Sequence, residues 1–227
     1  LQSALLESAP CLITSEDMRP LSVKVKFCGI TRLDDAETAA ALGADAVGFV
    51  FYEKSPRYIG PAAAAEIIRR LPPFVCKVGL FVNSEKHKVE SVVRETGIDL
   101  VQYHGDESPV QCESGSKPWM KAIRVSPEMD VQAEAARYAR ASAIFLDAHD
   151  PTAYGGTGQC FDWRVIPRKL PRPVILAGGL TPENVGKAIR IAVPYGVDVS
   201  GGIESSKGIK DPVKMERFIT EARRFGR

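Results

Sequence analysis

The chain has 227 residues, 44% of them hydrophobic, which is enough for one sizeable core and short for two ordinary domains. Its 30 Lys and Arg against 28 Asp and Glu leave a formal charge of +2, so there is no broad basic field for nucleic acid or an anionic membrane, and a small-molecule partner fits better. The five cysteines (Cys11, Cys28, Cys76, Cys112, Cys160) are odd in number, widely spaced and never in a CxxC pair. That argues against a disulfide framework or a zinc site and for a reducing, cytoplasmic setting.

Residues 1–22 read as an N-terminal extension. They hold short apolar stretches without a basic start and carry Glu7, Glu16 and Asp17, unlike a signal peptide, and no segment of the chain is long enough to span a bilayer. From residue 23 to 227, β-rich runs alternate with helix-like segments. The predicted strands are Val23 to Cys28, Ala46 to Phe51, Lys77 to Val82, Asp99 to His104, Met120 to Val125, Ala143 to Ala148, Pro173 to Ala177 and Val197 to Ser200. The predicted helices are Leu33 to Leu42, Ala62 to Leu71, Glu85 to Glu95, Pro109 to Glu113, Met129 to Arg140, Asp162 to Lys169, Pro182 to Ala192 and Pro212 to Arg224. Thr31 with Asp34 has the form of a capping box, and Thr181 followed by Pro182 has the form of a helix start. Eight βα units predict a single (β/α)8 TIM barrel, an eight-stranded parallel sheet closed on itself; a doubly wound open sheet is the alternative.

In a barrel, the residues that end strands converge on one face. Cys28 ends the first strand, Asp147 the sixth, and His104 the fourth. A thiol and a carboxyl facing one cavity can move protons in opposite directions, provided a positive neighbour favours the thiolate and burial keeps the acid protonated when needed. Lys26 shares a strand face with Cys28 and is a candidate neighbour, but it can equally neutralise an interior carboxylate such as Asp198, the reading we favour. Alone, Cys28 would be read as a small buried apolar residue. Glycine turns follow three late strands: Gly155 and Gly156 after the sixth, Gly178 and Gly179 after the seventh, and Gly201 and Gly202 after Ser200 and the eighth. Any one can be an ordinary tight turn; together they suit a phosphate held by backbone amides. Arg57, after the second strand, offers a planar fork to a carboxylate, with a solvated surface arginine as the plain alternative. Three scattered histidines do not make a metal site.

Lys26-Phe27-Cys28-Gly29-Ile30-Thr31, Gly48-Phe49-Val50-Phe51 with Ser55-Pro56-Arg57, Val78-Gly79-Leu80-Phe81-Val82-Asn83, Gly155-Gly156-Thr157-Gly158 with Phe161-Asp162-Trp163, and Asp198-Val199-Ser200 occur in the order and spacing of a known motif set. The chain resembles the phosphoribosylanthranilate isomerase family of tryptophan biosynthesis from about Val23 to the C-terminal helix. The resemblance implies an Amadori rearrangement of N-(5'-phosphoribosyl)anthranilate to the 1-deoxyribulose 5-phosphate isomer, with no metal or organic cofactor, by a monomer or homodimer. It implies Cys28 as general base, Asp147 as general acid, Arg57 as the contact to the anthranilate carboxylate, and the glycine loops as the phosphate site. Two positions depart from the pattern. Tyr103 stands where the family often has an aliphatic residue, and Gly201 stands where it often has a second Ser, removing a hydroxyl from the phosphate site while leaving the backbone amides.

Two other readings compete. A histidine-pathway phosphoribosyl isomerase on the same barrel would use paired aspartates, which Cys28 argues against. A noncatalytic barrel that senses a phosphorylated ligand would dispense with proton transfer, against which stand Cys28 and Asp147.

Overall fold

The computed structural model describes residues 22–148 and 161–225. Residues 1–21, nearly all of the expected extension, lie outside these, as do Gly155 and Gly156. Eight strands, β1 (Lys24–Cys28), β2 (Ala46–Val50), β3 (Cys76–Phe81), β4 (Leu100–Tyr103), β5 (Trp119–Val125), β6 (Ala143–Ala148), β7 (Val174–Leu176) and β8 (Gly196–Val199), pair in parallel in sequence order, and β8 returns to β1. Closure satisfies the backbone of every strand without leaving an edge, so the open-sheet alternative falls.

The connecting helices are α1 (Leu33–Ala41), α2 (Pro61–Arg70), α3 (Lys86–Thr96), α4 (Pro109–Glu113), α5 (Val131–Arg137), α6 (Val185–Ala192) and α7 (Pro212–Phe225). Short strands β9 (Glu204–Ser206) and β10 (Ile209–Lys210) form an antiparallel hairpin after β8. Strand alternation sorts the apolar side chains into two sets. Val25, Phe27, Val47, Phe49 and Val197 face outward onto the helices, while Val78, Met120, Ala122 and Phe145 fill the barrel interior.

Three local expectations are corrected. The predicted helix from Asp162 to Lys169 is a single 3-10 turn at Trp163–Val165. Asp162 caps it by accepting from the Arg164 amide, but Ile166 precedes Pro167 and is extended, and a proline there has no N–H to continue a helix. The Thr31–Asp34 capping box does not form: α1 starts after Arg32 without a side-chain cap, and the Thr31 hydroxyl donates to the Gly208 carbonyl at 2.6 Å. Thr181 Oγ1 does accept from the Glu183 amide at 3.2 Å, but the helix proper begins at Val185, after a turn.

Candidate active site

A cavity opens at the C-terminal ends of the strands, lined among others by Cys28, Arg57, Gln102, His104, Asp147 and Asp198. Gly178, Gly179, Ser200, Gly201 and Gly202 line it as well, so every candidate on the described residues borders one space. Phe145 forms part of its wall, with the His104 ring edge-on at 5.6 Å and the Lys26 ammonium 5.4 Å from its ring centre. Val50, Leu80 and Val82 pack with Cys28 and form an apolar side.

The base end is built by register. Lys26 on β1 lies directly across from Asp198 on β8, and Nζ meets Oδ1 at 2.6 Å with both side chains buried. Burial works against the Lys26 charge and Asp198 outweighs it, holding the ammonium protonated above the ordinary lysine range. Cys28 lies across from Gly48 on β2. A Cβ at position 48 would stand 2.8 Å from Cys28 Sγ and 3.0 Å from Lys26 Nζ, so only glycine leaves room for both groups. Burial pushes the Cys28 thiol up, and Lys26 and, more weakly, Lys210 pull it back only in part. The expected stabilisation of the thiolate by Lys26 is therefore present but does not win; the main partner of Lys26 is the carboxylate.

At the acid end, Asp147 Oδ1 accepts from the Ala148 amide at 2.9 Å and Oδ2 meets His104 Nε2 at 3.0 Å. Gln102, two residues before His104 on the same face of the chain, brings Nε2 within 2.8 Å of His104 Nδ1. All three side chains are buried. Gly178, at φ +83°, follows close behind: a Cβ there would come 2.5 Å from the Ala148 nitrogen and 3.0 Å from Asp147 Oδ1.

The loops after β7 and β8 interlock. Asn184 accepts from the Thr181 amide and donates to the Gly179 carbonyl, each at 2.8 Å. A Cβ at Gly202 would overlap the Leu180 carbonyl oxygen, so the two glycine loops approach as closely as backbone can. The Ser200 hydroxyl donates to the Cys28 carbonyl at 3.0 Å and ties the loop after β8 to the base strand.

Arg57 is not a solvated surface residue. Its Nε and Nη2 donate to Glu204 at 2.7 and 2.8 Å, a bidentate pair that Lys210 joins through Glu204 Oε1 at 2.9 Å. Burial works against the Arg57 charge and the Glu204 hydrogen bonds outweigh it, while Nη1 is outside the fork that Glu204 holds. Glu204 and Lys210 were missed in the sequence because they lie beyond the last barrel strand. Gln102 was missed although its spacing from His104 places both on one strand face. A Cβ at Gly201 would sit 3.2 Å from Arg57 Nη2, so a residue larger than glycine there presses on the guanidinium as well as adding to the phosphate loop.

Among the described residues, no cluster of three or more His, Cys, Asp and Glu has the arrangement of a metal site, and no helix is long and apolar enough to cross a membrane.

Comparisons with known proteins give the family and the fold it shares. The family model for N-(5'-phosphoribosyl)anthranilate isomerase matches residues 25–221. The isomerase of Thiobacillus denitrificans is 54% identical over 203 residues, covering 89% of this chain and 99% of that protein. That of Stutzerimonas stutzeri is 52% identical, covering 88% of this chain and 97% of that protein. The solved structure of the Thermotoga maritima phosphoribosyl anthranilate isomerase superposes with a TM-score of 0.81 at 43% identity, covering 88% of this chain and 98% of that one. A structure of a phosphoribosyl anthranilate isomerase in complex with reduced 1-(o-carboxyphenylamino)-1-deoxyribulose 5-phosphate superposes at 0.78 with 42% identity, over the same shares. With a family model spanning most of the chain and relatives above half identity, the chain belongs to the N-(5'-phosphoribosyl)anthranilate isomerase family.

Proposed function

We propose that Cys28 is the general base and Asp147 the general acid of the family's reaction, the Amadori rearrangement of N-(5'-phosphoribosyl)anthranilate to 1-(2-carboxyphenylamino)-1-deoxyribulose 5-phosphate in tryptophan biosynthesis. The observation that carries the assignment is that a thiol and a carboxyl from β1 and β6 border one cavity with the glycine loops after β7 and β8.

Asp147 gives a proton to the ribose ring oxygen as the C1–O bond breaks, and the anthranilate nitrogen lone pair closes the C=N bond of a protonated Schiff base. That cation acidifies the C2 hydrogen and, forming beside Cys28, favours the thiolate that burial otherwise disfavours. The thiolate takes the C2 proton, the C–H electron pair becomes the enolamine double bond, and the nitrogen recovers its lone pair. The Cys28 thiol then returns its proton to C1 and the Asp147 carboxylate takes the C2 hydroxyl proton, which gives the ketone and restores both groups. The substrate nitrogen is its own electron sink, so no step is routed through a cofactor. Arg57, held by Glu204, is oriented to meet the anthranilate carboxylate with its remaining donors, and Gly178, Gly179, Gly201 and Gly202 offer amides to the phosphate. His104, Asp198 and Ser200 complete the polar lining, and the assignment extends to Gly155 and Gly156.

The reading takes residues 23–227 as the catalytic barrel and 1–22 as an extension to it, working in the cytoplasm as a monomer or homodimer. A Thermotoga maritima relative, 39% identical, is described as dimeric and has been made monomeric. Assay with freshly generated phosphoribosylanthranilate tests the reading: turnover is expected, and binding without turnover would favour a ligand sensor.

A further inference from the structure

Gln102 is fully buried, lines the cavity, and leaves Oε1 without a hydrogen-bond partner among the described residues, while its Nε2 faces His104 Nδ1 at 2.8 Å. With the amide in this orientation Nδ1 accepts, the ring proton sits on Nε2, and His104 donates to Asp147 Oδ2 at 3.0 Å. The Ala148 amide donates to the other oxygen. Every hydrogen bond the carboxyl receives here suits a carboxylate, the form that has already given up its proton. A half-turn of the carboxamide exchanges the roles. Oε1, now orphaned, gains the Nδ1–H as donor, and the His104–Asp147 pair then holds two protons instead of one, the second shared between Nε2 and Oδ2.

We propose that Gln102 is a positioning residue for the acid step, its carboxamide turning so that Oε1 accepts from Nδ1 of His104 and the His104–Asp147 pair carries the proton that Asp147 delivers to the ring oxygen. This rests on the assignment of Asp147 as the acid. The proton balance closes over one turnover: the pair gives one proton to the ring oxygen, the amide returns to the orientation described, and the C2 hydroxyl proton released as the ketone forms refills the pair when the amide turns again. The groups that face the pair allow this. From β6 the Phe145 ring is uncharged; from β8 Asp198 favours the extra proton, tempered by its ion pair with Lys26 of β1; and Cys28 of β1 borders the same cavity as a thiol whose ionisation burial disfavours. From β7, Gly178 brings only backbone.

The experiment pairs two substitutions that separate acceptor from donor. Gln102→Leu removes both and is expected to lower kcat about tenfold with KM within about twofold, and to make His104 take its second proton at a lower pH. Gln102→Glu keeps an acceptor for Nδ1–H and cannot donate from a carboxylate; it is expected to recover most of the lost kcat and to hold the second proton to higher pH. The chain has three histidines, His87, His104 and His149, so nitrogen-15 imidazole spectra, assigned through His104→Asn, follow the protonation directly in the unsubstituted protein and in each variant. Overturning results are a Gln102→Glu kcat at or below that of Gln102→Leu, or an unchanged His104 titration in Gln102→Leu. If Gln102→Leu fails to fold, Gln102→Met takes its place, and a spectrum of the unsubstituted protein in which Nδ1 is never protonated between pH extremes of stability also overturns the proposal. Parent-like turnover by Asp147→Asn would instead remove the acid assignment itself, whatever Gln102 does.

Discussion

Lys26 and Asp198 stand opposite each other in the β1–β8 register, and their charges meet at 2.6 Å inside the closed barrel. The pair seals the seam where the barrel closes and places an ammonium beside Cys28 without giving it over to the thiol. Breaking a buried pair on one side leaves an uncompensated charge, at a cost of about 3–5 kcal/mol. Asp198→Asn is therefore expected to lower the melting temperature by roughly 6–20 °C, taking about 2–4 °C per kcal/mol for a domain of this size. Thermal and urea unfolding check this; a melting temperature within a degree or two of the parent would show that the pair does not hold the seam.

Gly48→Ala puts a methyl group 2.8 Å from Cys28 Sγ and 3.0 Å from Lys26 Nζ. The expected result is a folded protein whose turnover falls about tenfold or more, since a displacement of order 1 Å at a reacting group costs up to about a hundredfold. Gly60→Ala is the matched control, because a Cβ there meets nothing within 4 Å. Equal kinetics of the two variants would contradict the account of why position 48 is glycine.

Glu204→Gln keeps the shape of the partner of Arg57 but removes its charge. Arg57→Ala and Glu204→Gln are both expected to raise KM, the first by about tenfold or more and the second by less, with kcat changed less than KM, since neither residue moves a proton. The affinity for a product analogue should follow KM. A loss confined to kcat in either variant would remove Arg57 from the binding role.

Burial holds the Cys28 thiol above the usual thiol range in the free protein. The nucleophile is the thiolate, whose fraction grows with pH until the thiol is fully ionised. Alkylation of Cys28 by iodoacetamide, followed by peptide mass spectrometry, should thus accelerate about tenfold per pH unit across neutrality without levelling off. Levelling near neutral pH would mean that Lys26 and Lys210 win over burial.

The barrel was legible in the sequence because parallel strands buried on both faces are short apolar runs spaced by helical segments, and each predicted strand lies within a residue or two of its observed bounds. Cys28 and Asp147 could be picked out as candidates from their places at strand ends taken with the glycine turns and the family resemblance, since Cys28 alone reads as a small buried apolar residue. The segment from Asp162 to Lys169 misled: Trp163, Val165 and Ile166 suggest an apolar helix face, but Pro167 decides the backbone. The clamp on Arg57 was hidden for a different reason. Glu204 is 147 positions away, in a hairpin outside the strand pattern, so no periodicity links the two. The thiol's environment was only half legible, since strand alternation places Lys26 beside Cys28 but says nothing of whether attraction or burial dominates.

In this mechanism Cys28 and Asp147 transfer the protons. Steady-state turnover of phosphoribosylanthranilate by Cys28→Ser and by Asp147→Asn, each checked for folding by thermal melt and for binding of the reduced product analogue, tests it most directly. General acid or base assistance is worth about 10²- to 10⁴-fold, so each variant should stay folded, bind the analogue, and lose turnover by at least that order. Turnover near the parent's in either folded, binding-competent variant would contradict the assignment of that residue.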